Sequence, residues 1–78
     1  MKVNIRTITV GNRHGEPGDP SKVAEYHRWL VDNPSLDLPP LDVRAKANGT
    51  FRIHDGRHRF LAYVLGEREE VPVVVGAG

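Results

Sequence analysis

The chain has no cysteine, one methionine and one tryptophan, and aromatic residues make up only 6% of its 78 positions. Without cysteine there is no disulfide framework, no thiolate zinc site and no thiol chemistry. No apolar run approaches the ~18–20 residues of a membrane span, and the N-terminal stretch MKVNIRTITV lacks the apolar segment of a secretory signal. We therefore expect a cytoplasmic protein with no membrane partner. A net charge of +1 argues against a general polyanion binder. The length allows one domain, residues 1–78, and the 38% apolar content is enough for a small core that no cross-link reinforces.

What charge there is lies unevenly. Residues 1–43 carry five basic and six acidic groups, residues 44–60 carry Arg44, Lys46, Arg52, Arg57 and Arg59 against Asp55 alone, and residues 61–78 carry Arg68 against three glutamates. The middle segment is thus +4 and its flanks are negative. Arginine outnumbers lysine eight to three, and the guanidinium fork suits bidentate contacts to phosphate or carboxylate.

Val3, Ile5, Ile8 and Val10 alternate with polar residues, with a slip near Thr7, which predicts one strand with a bulge. The glycine- and proline-rich segment 11–20 is a loop, long enough to serve a site. Asp19 then offers an N-cap and Pro20 a first helical position, and Val23, Tyr26 and Leu30 give an apolar stripe, so a helix runs from Pro20 to Asp32 and ends before Pro34. LDVRAK and TFRIHD alternate around Asn48-Gly49, a strong hairpin signal. A second helix runs from Gly56 to Leu65 with Gly66 as its stop. VPVVV reads as a strand buried on both faces, with Pro72 confining it to an edge or to its first residues. The order β-α-β-β-α-β gives an α+β fold class, a small mixed sheet with two helices.

The chemistry concentrates in His54-Asp55-Gly56-Arg57-His58-Arg59, where a strand passes directly into a helix. A helix start presents unpaired N–H groups and the positive end of its dipole, and Gly56 would let an anion approach the backbone. Counting about 100° per residue, Phe60, Leu61, Val64 and Leu65 centre near the azimuth of Arg57. Arg57 and His58 are therefore expected on the sheet-facing side of the first turn, with Arg59 pointing away. The competing expectation is structural, with Arg57 pairing with Asp42 or Asp55 and His58 satisfied at the edge of the core.

Other motifs carry less. His54 and His58 have metalloprotease spacing, but a strand and Gly56 separate their faces, so no metal site is expected. GNRHGEPG lacks the Gly-Lys-Ser/Thr of a P-loop, and Ser21 and Ser35 have no base beside them.

The run PPLDVRAKANGTFRIHDGRHRFLAYVLGEREEVPVVV, residues 39–75, resembles the ParB/sulfiredoxin-like superfamily. In that superfamily a strand pair leads to a Gly-x-Arg/His-Arg box, a helix, a glycine-containing turn and a Val-Pro strand. Gly56, His58 and Arg59 match the ParB-like Gly-Glu-Arg-Arg phosphate-binding box by position, and Arg57 stands where many relatives carry Glu. The resemblance implies a ParB/sulfiredoxin-like fold and a nucleoside triphosphate (CTP or ATP, with Mg²⁺) held at Gly56, Arg57, His58 and Arg59. Sulfiredoxin activity is excluded, since that chemistry uses a cysteine in this box. The partition proteins' helix-turn-helix and dimerisation segments would need more chain.

Two functions follow. The first is nucleotide or phosphate binding, extending to hydrolysis, phosphotransfer or nuclease-like activity, with Glu16 and Asp55 as the acidic candidates for Mg²⁺ or for a base; Asp55 is equally well read as the N-cap of the second helix. The alternative is a non-catalytic DNA- or protein-binding module on the same fold, which the +4 segment and the aromatics Tyr26, Trp29, Phe51, Phe60 and Tyr63 would suit.

Overall fold

Two helices pack on one face of a five-stranded sheet, in a computed structural model that describes residues 1–10 and 19–76. In chain order the elements are β1 (Lys2–Asn4), a single 3-10 turn (Ile5–Thr7), β2 (Ile8–Thr9), α1 (Pro20–Asp32), β3 (Leu41–Ala45), β4 (Phe51–Asp55), α2 (Arg57–Leu65) and β5 (Glu70–Gly76). Across the sheet they stand in the order β1-β5-β3-β4-β2. β1 with β5 and β3 with β4 are antiparallel, while β5 with β3 and β2 with β4 are parallel. This is the expected mixed-sheet α+β class.

The expected single N-terminal strand is instead two. Asn4 caps the 3-10 turn by accepting from the Arg6 N–H at 2.9 Å, and Thr7 donates its hydroxyl to the Asn4 carbonyl at 2.7 Å. The slip in alternation near Thr7 is therefore a corner. β1 and β2 are the two outer strands of the sheet, yet only three residues separate them. The edges of a flat five-stranded sheet lie about 19 Å apart, whereas a 3-10 turn of this length spans only about 8 Å. The sheet must curl to bring its edges within reach, and residues of both helices join the strands in one core.

β5 also departs from expectation. It is an interior strand between β1 and β3, and only Val71 and Val73 are buried while Val74 is exposed. Pro72 is tolerated because opposite Lys2 it takes a non-hydrogen-bonded position of the β1 ladder, where the neighbouring Val73 N–H bonds the Met1 carbonyl, and pairing with β3 begins only at Val73 opposite Leu41.

The core joins Leu41 and Val43 of β3, Val71 and Val73 of β5, Leu30 of α1, Phe60, Ala62 and Tyr63 of α2, together with Ile8 and Leu38. α1 keeps the expected bounds: Asp19 accepts from the Ser21 N–H at 2.9 Å, Pro20 opens the helix, and Val23 and Leu30 are its buried residues. In α2 the inward stripe differs from the one the sequence suggests. Phe60, Ala62 and Tyr63 are buried, whereas Val64 and Leu65 are about half exposed. A tyrosine serves as the central core residue because the backbone of Leu38 satisfies its hydroxyl, which accepts from the Leu38 N–H at 2.8 Å and donates to the Leu38 carbonyl at 3.3 Å. Burial raises the Tyr63 phenol above its ordinary value of 10.0, against the opposing pull of the Leu38 N–H.

Candidate functional site

β4 hands over to α2 at Gly56, where the backbone itself calls for glycine. Its φ is 108°, a region that side-chain-bearing residues rarely adopt. A Cβ there would stand 2.9 Å from Leu41 Cδ2 and 3.2 Å from Arg59 Nη2. Gly56, and not Asp55, is the N-cap of α2, so the helix start carries no side-chain cap. The first bond of this helix runs from the Phe60 N–H to the Gly56 carbonyl at 2.9 Å. The amides of the preceding turn have no partner within the helix, as at any helix start. Asp55 remains at the end of β4, exposed.

Because the inward stripe of α2 runs through Phe60 and Tyr63, Arg59 lies on the core-facing side of the first turn, not away from it. Its Nη1 donates to the carbonyls of Pro39 at 2.9 Å and Pro40 at 3.0 Å. Nη2 lies beside Gly56. Carbonyls orient this guanidinium without neutralising it, since among the described residues no carboxylate pairs with it. A fixed positive charge thus stands at the positive end of an uncapped helix.

His58 is half-buried, and its Nε2 accepts from the backbone N–H of Asp19 at 2.9 Å, linking the starts of the two helices. Arg57 is half-buried in the same turn. Glu16, Arg13 and His14, the loop residues of interest, lie outside the described residues. Among the described residues no three His, Asp or Glu side chains gather in a way that could hold a metal ion.

Asp42 is a neighbour that sequence reasoning offered only as a partner for Arg57. Counting back from the Asn48-Gly49 turn pairs Ala45 with Phe51, Arg44 with Arg52 and Val43 with Ile53, which would set Asp42 opposite His54. An irregularity between Asp42 and Val43 shifts the register by one, so Asp42 stands opposite Asp55. Arg44 already holds the Asp42 carboxylate at 2.6 Å, which leaves Asp55 as the carboxylate beside the helix tip with no ion pair among the described residues. The connector into β3 is fixed from three sides: by Tyr63 at Leu38, by Arg59 at Pro39 and Pro40, and by Asp37, which meets Lys2 at 2.9 Å and Arg68 at 3.4 Å.

No family model and no curated protein matches this sequence. Solved structures do match its backbone. The C-terminally truncated chromosome-partitioning protein ParB of Caulobacter crescentus, complexed with CTP-γ-S, superposes with a TM-score of 0.79 at 16% identity over 100% of this chain. The same protein complexed to the centromeric parS site gives 0.78 at 16% identity over 97% of this chain. Sulfiredoxin of Arabidopsis thaliana gives 0.76 at 22% identity over 100% of this chain and 86% of its own. The chain has the ParB/sulfiredoxin-like fold. It spans 44% and 40% of the two ParB chains, so what it shares with them is this one unit.

Proposed function

We propose that this domain binds the phosphate chain of a nucleoside triphosphate at the start of α2. The observation that carries the reading is the coincidence of an uncapped helix N-terminus with the Arg59 guanidinium, which carbonyls orient but do not neutralise. Support comes from the ParB neighbour, which has the same fold and is complexed with CTP-γ-S. In this reading the first-turn amides and Arg59 take phosphate oxygens, Arg57 adds charge, and Gly56 keeps the turn open. CTP and ATP are the candidate nucleotides.

Mg²⁺ fits only as a companion of the phosphates. Asp55 is a single carboxylate, and Mg²⁺ is commonly held by one or two carboxylates together with phosphate oxygens and water. The ion would neutralise phosphate charge, Asp55 would hold it, and any turnover would draw on Asp55 or Glu16 as base.

A second reading, a non-catalytic module for DNA or an acidic protein, has one observation in its favour. Arg44 and Arg52 stand directly opposite each other in the β3–β4 ladder and so share a face, an unfavourable like-charge placement that a bound anion would relieve. Arg44 is paired with Asp42, whereas Arg52 has no ion pair among the described residues.

Calorimetric titration with CTP, ATP and inorganic triphosphate, each with and without Mg²⁺, tests the first reading. The expected result is micromolar to millimolar affinity that falls with added salt. No binding at millimolar ligand, alongside clear salt-dependent binding of DNA, would refute it in favour of the second.

A further inference from the structure

The bond between Asp19 and His58 constrains the chemistry of the imidazole. Nε2 accepts a hydrogen bond from a backbone amide at 2.9 Å, so Nε2 carries a lone pair and no hydrogen. In the neutral ring the remaining proton must then sit on Nδ1, the nitrogen nearer the backbone. A doubly protonated ring has no lone pair for Asp19 and cannot make this bond. Nδ1 makes no hydrogen bond to any described residue. His58 is the second residue of α2, so the ring belongs to the uncapped first turn.

Asp19 is also the N-cap of α1, with its carboxylate committed to the Ser21 N–H. Its backbone N–H is therefore held by α2 while its side chain holds α1. The bond thus ties the start of α1 to the start of α2.

We propose that the backbone N–H of Asp19 acts as a positioning group: it locks His58 in the Nδ1–H tautomer, turning a neutral imidazole into a fixed hydrogen-bond donor at the start of α2 and latching the start of α1 to it. The ligand for that donor is an acceptor oxygen of an anion, and this use of it rests on the phosphate reading above. The tautomer and the latch do not.

The test begins with long-range ¹H–¹⁵N NMR of the imidazole at pH about 8, where histidine side chains are ordinarily neutral. The Nδ1–H tautomer is expected, and a ring that is mainly Nε2–H overturns the proposal. Two substitutions then separate the roles of the ring. In His58→Gln the amide oxygen reaches the position of Nε2 and can still accept from Asp19, so the Asp19 amide should keep its hydrogen-exchange protection factor to within about three-fold. In His58→Asn the shorter amide places a donor near the position of Nδ1 but cannot reach Asp19, and the protection factor should fall about ten-fold or more. Equal protection in the two variants overturns the latch. Titration with inorganic triphosphate is a separate readout. A wild-type protein that shows the Nδ1–H tautomer and the Gln/Asn difference but binds no triphosphate supports the latch and removes the phosphate reading alone.

Discussion

Replacing Gly56 by Ala tests whether this glycine serves the fold itself, and Gly49→Ala provides the control. Both glycines have positive φ, 108° and 83°, but a Cβ at Gly49 would meet nothing within 4 Å, whereas at Gly56 it would press on Leu41 Cδ2 at 2.9 Å. Backbone strain of this kind costs on the order of 1–3 kcal/mol for a residue with a side chain. Gly49→Ala should show that cost alone, at its lower end, because a hairpin tip can relax. Gly56→Ala adds overpacking against Leu41, which is fully buried and has little room to yield, for roughly another 1–3 kcal/mol. In a domain of this size each kcal/mol lowers Tm by about 4–8 °C. Thermal unfolding followed by circular dichroism should therefore give a loss of about 4–8 °C for Gly49→Ala and well over 10 °C for Gly56→Ala. Leu41→Val removes the clashing Cδ2, so Gly56→Ala/Leu41→Val should be more stable than the sum of its single changes by about 1 kcal/mol. If Gly56→Ala costs no more than Gly49→Ala, the close approach to Leu41 is not what requires glycine.

Tyr63→Phe leaves the Leu38 N–H and carbonyl without their buried partner and should cost about 1–3 kcal/mol by urea denaturation. The phenol is raised above 10.0 in the folded state, so the native protein holds this proton more tightly than the unfolded chain does. That stabilisation is fully present below pH 10 and is lost as pH rises through the folded-state value. Stability should accordingly fall above pH 10 in the wild type, and more steeply than in Tyr63→Phe; parallel pH profiles would contradict the assignment. Arg59→Ala should lower triphosphate affinity about ten-fold and weaken its salt dependence. It should also lower Tm by several degrees, since the carbonyls of Pro39 and Pro40 lose their donor. A variant with intact affinity would place the anion away from the helix tip.

Local signals in the chain are strong where one residue type has one physical use. Asp19-Pro20 marks the start of α1 because a carboxylate cap and a ring lacking an N–H both suit a helix start, and Asn48-Gly49 marks the hairpin because a glycine there tolerates positive φ. The same holds for the Asp55-Gly56 junction between β4 and α2, although the cap is Gly56 and not Asp55, the one residue offered for it. The orientation of α2 was not legible. Val64 and Leu65 outweigh Tyr63 on any hydropathy count, and nothing local shows that the backbone of Leu38 satisfies the tyrosine hydroxyl. With the stripe turned, Arg59 moved from the expected solvent side to the core-facing side.

By itself, the sequence determined the two helices, the hairpin, the C-terminal strand, their order and the basic turn at residues 56–59, because propensity, capping and alternation act over a few neighbouring residues. Only the tertiary structure decided that β1 and β2 are opposite edges of one curled sheet, since that depends on pairing with β5 and β4 far along the chain. It likewise decided that Asp42 faces Asp55, because a one-residue irregularity in a ladder leaves no mark in composition. It also brought the Asp19 N–H to the half-buried His58 across 39 residues, a contact that no local pattern encodes.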